Sequence, residues 1–270
     1  MERLPLPGRL VLVGHPVAHS LSPLMQNAAL RAANFGLAYE ALDVAPDQLP
    51  TMAKLLAEAS AAGNVTIPHK TAFMSLCARN SPVAQRVGAV NTFWTEDGAL
   101  VGDNTDVGGF ERAISHNFGP PVAHAHVVVL GAGGAAAAVL AALERWDCVT
   151  AVIASRSRAR GAALAERFGN IATWTEHPAD VVGKASLVVN ATPLGLHGDE
   201  LPVDPALIAG TAAAFDLTYR RGETPWVIAC RARGLRAADG RSMLVEQGAL
   251  AFEGWFGVAP DRRVMRAALA

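Results

Sequence analysis

The sequence predicts an α/β fold with mostly parallel sheets. Short apolar runs of strand length alternate with helix-length segments along all 270 residues, and a glycine-rich turn joins one of these runs to a helix. Such alternation is typical of parallel strands joined by helical crossovers. Because 51% of the residues are hydrophobic, the chain can bury the core of one large domain or two ordinary ones.

The first third of the chain predicts a mixture of strands and helices that ends in a hairpin. In chain order, the predicted elements are a strand at 9–13, a helix at 22–35, a strand at 38–43, a helix at 47–62, a strand ending near Val65, and strands at 89–94 and 100–102. The letters TEDG separate the last two strands. Because Asp-Gly favours the tight turn of a hairpin, these two strands are predicted to pair.

The rest of the chain alternates more regularly. Its strand-length apolar runs, which are consistent with buried parallel strands, lie at 127–130, 149–154, 187–190 and 212–217. A helix is predicted at about 158–168, and helices at about 242–256 and 260–269 could belong to either half on pattern alone. No low-complexity linker separates the halves, so a domain boundary is expected near 105–110, in a helix or a tight crossover.

Charge and composition exclude several classes of protein. The net charge is −1, and no basic excess favours nucleic acid or an anionic membrane surface. Residues 118–143 carry no charged side chain and could span a bilayer by length, but Gly-Pro-Pro and a glycine cluster within them favour a buried strand and helix. The N-terminus lacks the apolar run of a signal peptide. We therefore expect a soluble cytoplasmic protein.

Three cysteines, Cys77, Cys148 and Cys230, lie far apart in the sequence. Their spacing matches no metal-binding pattern, and no cluster of histidine and cysteine accompanies them. We expect reduced thiols and no metal site.

The turn after the strand at 127–130 carries a dinucleotide-binding pattern. Gly131-x-Gly133-x-x-Ala136 follows a strand and begins a helix, as that pattern requires. A tight turn and close backbone approach let helix N-terminal amides face a pyrophosphate. The alternative is a glycine turn that serves packing alone. Together with its neighbours, the predicted turn comprises Gly131, Ala132, Gly133, Gly134 and Ala135.

The next strand ends in Ser155 and Arg156, at the place where folds that bind NAD carry an acidic residue for the ribose hydroxyls. A carboxylate there would repel a 2′-phosphate, whereas a guanidinium binds one with two parallel hydrogen bonds. The alternative is a solvated basic start to the following helix, which the helix dipole disfavours. NADP is therefore the predicted cofactor.

Polar residues cluster in the first third, in the segments GHPVAHSLSP, NVTIPHK, GAVNT and GDNTDVGGF. Each cluster alone could be a turn or a helix cap. Together they supply hydroxyls, amides, one ammonium and one carboxylate, a set suited to a small polyhydroxylated acid. The residues concerned are Ser20, Ser22, Asn64, Thr66, Lys70, Asn91, Asn104, Thr105 and Asp106.

These segments, followed by GAGGA, NATPLG and Gln-Gly-Ala, resemble the shikimate dehydrogenase family in the same order over essentially the full chain. The resemblance implies an N-terminal α/β substrate domain at 1–105, completed by C-terminal helices at 241–270. It also implies a Rossmann-like NADP-binding domain with a parallel sheet at 106–240. The implied reaction is the reversible NADPH-dependent reduction of 3-dehydroshikimate to shikimate, a step in aromatic amino-acid biosynthesis.

The resemblance also implies roles for single residues. Lys70 and Asp106 match the catalytic pair of the family. The implied substrate contacts are Ser20, Ser22 and Tyr219 at the carboxylate, and Asn64, Thr66, Asn91 and Gln247 around the ring hydroxyls. Around the cofactor, the implied residues are Ser155, Arg156, Ser157 and Arg160 near the 2′-phosphate, together with Thr192, Leu217, Gly240 and Met243.

The catalytic pair is chemically intelligible. Hydride arriving at a carbonyl carbon leaves negative charge on the oxygen, which needs a positioned acid or cation. The Lys70 ammonium can stabilise and protonate that oxygen while Asp106 orients the lysine. The alternative is a surface ion pair. The nearby histidines, His15, His19 and His69, are expected to be structural.

Four positions depart from the residues common in the family: Gln26 for histidine, Ser155 for asparagine, Arg221 for proline and Trp226 for leucine. We expect the change at Gln26 to be neutral. Arg221 and Trp226 are expected near the loop after Tyr219 and the nicotinamide-side wall. Two other functions stay open, an NAD-linked quinate/shikimate dehydrogenase and a non-catalytic sensor of shikimate-like ligands. The protein is expected to be a monomer or a homodimer.

Overall fold

The computed structural model describes residues 6–269. In this part of the chain, strands and helices alternate from end to end, as the sequence predicts. Their bounds are β1 Arg9–Gly14, α1 Ser22–Ala32, β2 Tyr39–Asp43, α2 Leu49–Glu58, β3 Ala61–Val65, α3 Lys70–Met74, β4 Arg79–Asn80, α4 Pro82–Val87, β5 Thr92–Glu96, β6 Ala99–Asp103, α5 Asp106–Phe118, β7 His126–Leu130, α6 Gly134–Leu143, β8 Thr150–Ala154, α7 Arg158–Arg167, β9 Ala172–Thr175, β10 Leu187–Asn190, β11 Ala213–Asp216, α8 Pro225–Ala232, β12 Arg236–Ala238, α9 Arg241–Phe256 and α10 Arg262–Ala267.

The chain divides into two compact units. The first contains the residues up to Gly109 and those from Leu244 onward, and the second contains Phe110–Met243. The first division falls inside α5 and the second inside α9.

The first unit is built on a mixed sheet. Among the described residues its strand order is β2-β1-β3-β5-β6-β4. β1 pairs in parallel with β2 and β3, whereas β5 runs antiparallel to β3 and β6. β1 and β3 lie so close that a Cβ at Gly63 would overlap the Val11 carbonyl. Every residue of β3 is buried, so the ends of β1 and β3 are fixed within the core.

The predicted hairpin is confirmed, because β5 and β6 pair antiparallel. Its turn is Asp97–Gly98, where φ is 52° and 75°. Positive φ at both central residues is the requirement of a type I′ turn, whose twist matches the strands. β5 begins at Thr92 rather than at 89.

The second unit, all of whose residues the structure describes, contains a six-stranded parallel sheet in the order β12-β11-β10-β7-β8-β9. The chain starts in the middle at β7, adds β8 and β9 on one side, and then returns to add β10, β11 and β12 on the other. This is the strand order of doubly wound nucleotide-binding folds. Ligands of such folds bind beyond the carboxyl ends of the strands, where the order reverses between β7 and β10.

The uncharged segment 118–143 forms the strand and buried helix that its composition predicts. β7 is buried from Val127 to Leu130, and the α6 residues from Ala136 to Leu143 are all buried. A helix that is apolar all round belongs in a core. Within residues 6–269, no helix is long and apolar enough to cross a membrane.

Two helices end earlier than the sequence predicts. α1 ends at Ala32 rather than at Phe35, because Asn34 takes a φ of 56° and the Phe35 amide bonds back to Leu30 at 3.0 Å. α2 ends at Glu58 rather than at Ala62, because Ser60 takes a φ of 49°. A left-handed residue ends a helix, so residues 61 and 62 join β3 instead.

Candidate active site

An ammonium–carboxylate pair lies in the first unit. The Lys70 Nζ donates to Asp106 Oδ2 at 2.6 Å, with 21% of the lysine side chain and 8% of the aspartate side chain exposed. Lys70 begins α3 and Asp106 begins α5, so two helix starts bring the pair together. The pair is therefore mostly buried, unlike a surface ion pair. Attraction between its charges is stronger than it would be in water.

Asn91 holds the other oxygen of this carboxylate. Its Nδ2 donates to Asp106 Oδ1 at 2.8 Å and to Thr105 Oγ1 at 3.1 Å, and lies 3.3 Å from Gln247 Oε1. Its Oδ1 accepts from the Thr105 amide at 2.7 Å. Both Asp106 oxygens thus have partners, and the carboxylate is fixed in one orientation toward Lys70.

The start of α5 is itself fixed by Asn104. The Asn104 Oδ1 accepts from the Asp106 amide at 3.1 Å, and its Nδ2 donates to the Ala89 carbonyl at 2.8 Å. The side chain is 4% exposed. It caps the first turn of the helix and so sets the position of Asp106.

The Asn64 amide joins the same cluster. Its Nδ2 donates to the Asn91 carbonyl at 3.1 Å, and its Oδ1 accepts from the Tyr39 hydroxyl at 2.8 Å. An amide has two N–H donors and two acceptor lone pairs, so one of each is left for a ligand. Tyr39 was not predicted from the sequence, where its only signal is a tyrosine in a predicted strand.

The two serines lie at the N-terminus of α1. The Ser22 amide donates to Ser20 Oγ at 3.2 Å, and Ser22 is buried at 6% exposure. No acidic residue lies in the first turn of this helix, so its dipole favours an anion there.

Backbone carbonyls within the first unit hold three further residues, Thr66, Gln247 and His69. Thr66 follows β3, and its amide donates to the Val13 carbonyl at 2.8 Å. Gln247 lies in α9, where its Nε2 donates to the Leu244 carbonyl at 2.8 Å. His69 is buried with its Nε2 2.6 Å from the Val44 carbonyl.

Seven of the predicted residues therefore form one connected network: Asn64, Lys70, Asn91, Asn104, Thr105, Asp106 and Gln247. Ser20, Ser22 and Thr66 have separate hydrogen bonds within the same unit. Tyr219 belongs to the second unit, in the loop that follows β11.

The glycine turn of the second unit has the shape that a dinucleotide needs. Gly131 has a φ of 109°, and a Cβ there would lie 2.9 Å from the Ala191 carbonyl oxygen. A Cβ at Gly133 would meet nothing within 4 Å, so the backbone there faces open space. Ala132 lies between these glycines, and Gly134 and Ala135 begin α6 with amides that lack intrahelical partners.

The segment after β8 exposes its arginines. Ser157 Oγ caps α7 by accepting from the Arg160 amide at 3.4 Å, and Ser155 Oγ accepts from the Ser157 amide at 3.3 Å. Arg156 and Arg160 are exposed. The sequence has no acidic residue between Asp147 and Glu166, so the segment suits a phosphate better than a pair of ribose hydroxyls.

A buried carboxylate organises the ends of β10 and β11. Asp216 Oδ1 accepts from Asn190 Nδ2 at 2.8 Å and from the Thr218 amide and hydroxyl at 3.0 and 2.8 Å. Its Oδ2 accepts from Thr224 Oγ1 at 2.7 Å. Burial raises the pKa of Asp216, against the opposing effect of these four hydrogen bonds. This residue was not predicted from the sequence; its signal there is an acid that ends an apolar strand.

Three of the remaining predicted cofactor residues, Thr192, Leu217 and Gly240, lie at this edge of the sheet. Thr192 Oγ1 donates to Asn190 Oδ1 at 2.6 Å, and the Leu217 amide donates to the Asn190 carbonyl at 2.9 Å. A Cβ at Gly240 would overlap the Leu217 carbonyl, so only glycine fits there. Met243 is buried in α9.

Trp226 is not part of a ligand wall, contrary to expectation. It is fully buried in the core of the second unit, and its Nε1 donates to the Val203 carbonyl at 3.1 Å. An indole at the second residue of α8 faces inward and fills the core, so this departure alters packing.

Two other positions that depart from the residues common in the family lie elsewhere. Arg221 is exposed in the loop after β11. Gln26 donates a hydrogen bond from its Nε2 to the Gly248 carbonyl at 3.0 Å.

Comparison with known proteins gives a consistent result. The family model for the shikimate dehydrogenase substrate binding domain matches residues 12–93, and that for the shikimate 5′-dehydrogenase C-terminal domain matches residues 240–270. The shikimate dehydrogenase (NADP(+)) of Mesorhizobium japonicum is 42% identical over 260 residues, which cover 93% of this chain and 91% of that protein.

Solved structures are similar over the same length. Shikimate 5-dehydrogenase from Thermus thermophilus, in complex with NADP(H) and shikimate, superposes with a TM-score of 0.88 at 39% identity, covering 97% of this chain and 98% of that one. Quinate dehydrogenase from Corynebacterium glutamicum, in complex with NAD, superposes with a TM-score of 0.86 at 30% identity, covering 96% and 97%. The chain belongs to the shikimate dehydrogenase family.

Proposed function

We propose that this protein is an NADP-dependent shikimate dehydrogenase, an oxidoreductase that reversibly reduces 3-dehydroshikimate to shikimate in aromatic amino-acid biosynthesis. The observation that carries the proposal is the mostly buried Lys70–Asp106 pair, with its carboxylate fixed by Asn91. Family membership supports the same reaction.

The two units divide the work in this proposal. The first unit, predicted from the sequence as residues 1–105 with 241–270, binds the substrate, and the second unit, predicted as residues 106–240, binds NADP. Asp106 lies in the first unit and Met243 in the second. The polar network on the first unit and the parallel sheet with its glycine turn on the second support this division.

Substrate binding begins at the helix N-terminus. The hydroxyls of Ser20 and Ser22 donate hydrogen bonds to the substrate carboxylate, helped by the dipole of α1 and by Tyr219. The amides of Asn64, Asn91 and Gln247 and the hydroxyl of Thr66 surround the ring hydroxyls. The free donor and acceptor of Asn64 suit a hydroxyl, which can both donate and accept.

Lys70 is the general acid of the reduction. As negative charge develops on the substrate oxygen, the ammonium stabilises it and transfers a proton to it. Asp106 holds the lysine at 2.6 Å and accepts a hydrogen bond from a neighbouring substrate hydroxyl. In the reverse direction Lys70 takes the hydroxyl proton as the base. NADPH, when bound, supplies the hydride.

The cofactor residues have separate tasks. The amides around Gly131, Ala132, Gly133, Gly134 and Ala135 hold the pyrophosphate at the start of α6. Ser155, Arg156, Ser157 and Arg160 bind the adenosine 2′-phosphate. Thr192, Leu217, Gly240 and Met243 lie toward the nicotinamide end. We expect the enzyme to act in the cytoplasm as a monomer or homodimer.

One steady-state experiment tests the proposal against its alternatives. The absorbance of reduced nicotinamide is followed with shikimate or quinate, each combined with NADP⁺ or NAD⁺. We expect the highest kcat/KM for shikimate with NADP⁺. A higher value for quinate with NAD⁺ would identify a quinate dehydrogenase. Shikimate binding without turnover in any combination would identify a sensor.

A further inference from the structure

Trp174 contacts both ends of the segment Ser155–Gly161. It lies in β9, in register with Ile153 of β8, and its Nε1 donates to the Ser155 carbonyl at 3.3 Å. A Cβ at Gly161 would overlap the five-membered ring of the indole, so the ring packs directly against the first turn of α7. One side chain thus fixes where this arginine-bearing segment begins and where its first helical turn lies.

The backbone between these two contacts is held by one further strand pairing and by a local helix cap. The Ser155 amide donates to the Thr175 carbonyl at 3.1 Å, which extends the pairing of β8 and β9 by one residue. Beyond it, Ser157 Oγ caps the helix at 3.4 Å, while Arg156, Arg158 and Arg160 are exposed. The direction of these arginines therefore depends on how firmly the two ends of the segment are fixed.

We propose that Trp174 is a positioning residue that sets the preference for NADP over NAD, although it brings no charge to the 2′-phosphate. The inference rests on the proposed use of NADP. A guanidinium binds phosphate in a directional fork, and a loose segment must be ordered when the phosphate binds, which weakens affinity. NAD lacks that phosphate, so loosening the segment costs it less.

The test measures binding rather than turnover. NADP⁺, NAD⁺ and adenosine 2′,5′-bisphosphate are titrated calorimetrically into wild-type protein, Trp174→Phe and Trp174→Ala. We expect Trp174→Ala to weaken NADP⁺ and the bisphosphate at least about tenfold, with NAD⁺ changed less than about twofold. Trp174→Phe keeps an aromatic ring against Gly161 and should stay within about threefold of wild type. Trp146→Ala, at another half-buried tryptophan of the same unit, is the control and should leave the ratio of the two affinities unchanged.

Gly161→Ala gives a second test, whose measurement in the wild-type background does not depend on whether Trp174→Ala folds. Its methyl group meets the indole, so it should lower the NADP⁺ to NAD⁺ affinity ratio in the wild-type background. In the Trp174→Ala background the ring is gone, and the same methyl group should have little further effect. Such non-additivity is the mark of two residues in contact.

Three outcomes separate the hypotheses. Equal weakening of NADP⁺ and NAD⁺ in Trp174→Ala, or no weakening of either, would overturn the role of Trp174 alone. A wild-type chain that binds NADP⁺ but does not oxidise shikimate would overturn the proposed reaction. The role of Trp174 would then still be decided by the ratio of NADP⁺ to NAD⁺ affinity in the variants. A wild-type chain that binds neither nucleotide would overturn both.

Discussion

Asn190 and Asp216 lie side by side at the carboxyl ends of the adjacent parallel strands β10 and β11, where the asparagine amide donates to the carboxylate at 2.8 Å. Both side chains are fully buried. Through them, one end of the second sheet is joined to Thr192, to Thr218 and to the N-cap of α8 at Thr224. The loops proposed to hold the nicotinamide end are anchored by this pair.

The pair gives a prediction about pH. Because burial raises the pKa of Asp216 above its unfolded value of about 4, this group contributes stability below that unfolded pKa and loses it as pH rises through the folded pKa. Urea unfolding of wild type and of Asp216→Asn is measured over a pH series. The free energy of unfolding of wild type minus that of Asp216→Asn should fall as pH rises across that window. Asp204→Asn, at an exposed cap of the same unit, is the control. A difference that grows with pH would contradict the assignment.

Lys70→Ala should nearly abolish turnover while shikimate still binds. The ammonium acts mainly as charge develops on the carbonyl oxygen, so its loss lowers kcat more than it raises the dissociation constant. Steady-state rates and equilibrium binding are measured together, with Lys54→Ala, at an exposed position of α2, as the control. A fall in kcat below about tenfold, roughly 1.4 kcal/mol, would show that Lys70 is not the general acid.

Ser22→Ala should raise KM for shikimate more than it lowers kcat. The substrate carboxylate is charged in the ground state and in the transition state alike, so a contact to it contributes uniform binding. The two parameters are measured over a range of shikimate concentrations at saturating NADP⁺. An unchanged KM with a large loss of kcat would contradict this role.

Arg156→Ala should reduce kcat/KM for NADP⁺ about ten- to 150-fold, the value of a hydrogen bond to a charged group of about 1.5–3 kcal/mol, and leave NAD⁺ almost unchanged. Arg160→Ala should have a smaller effect, because Arg160 lies within α7. Arg158 and Arg160 point about 160° apart around the helix axis, so Arg158→Ala is the control. Equal losses in all three variants would indicate diffuse positive charge rather than a shaped phosphate site.

Cys148 should react slowly with thiol reagents although it is exposed. Its Sγ donates to Asp147 Oδ1 at 3.3 Å, and this hydrogen bond, with the charge of Asp147, raises the pKa of the thiol. Because the thiolate is the reactive form, Asp147→Asn should speed labelling near neutral pH. Burial raises the pKa of Cys77 and of Cys230 to about 12, so neither should compete. The labelled residue is identified by peptide mass.

The strands could be predicted because each is marked by a short apolar run in consecutive residues of the sequence. The helix ends were less so, because Asn34 and Ser60 adopt left-handed backbone without being glycine, and sequence gives little sign of that. Lys70 and Asp106 could be paired only through family motifs, since 36 residues separate them. The partners of Asp216 and the contact of Tyr39 with Asn64 depend on which strands lie side by side. The prediction that Trp226 lines the nicotinamide side was wrong. Whether a side chain at the start of a helix points toward a ligand or into the core depends on which residues pack against that helix, and the sequence does not show this.

One outermost strand of each sheet is short, and another carries a charged side chain. β4 has two residues and β12 has three, and β2 carries the exposed Glu40, which pairs with Arg9 at 2.7 Å. A sheet edge offers unpaired amides and carbonyls to any other chain, and short or charged edges deny such a chain a template. For a chain with this much apolar strand sequence, this edge design protects against aggregation at high concentration. A longer edge strand rich in β-branched residues would therefore lower the solubility of this chain.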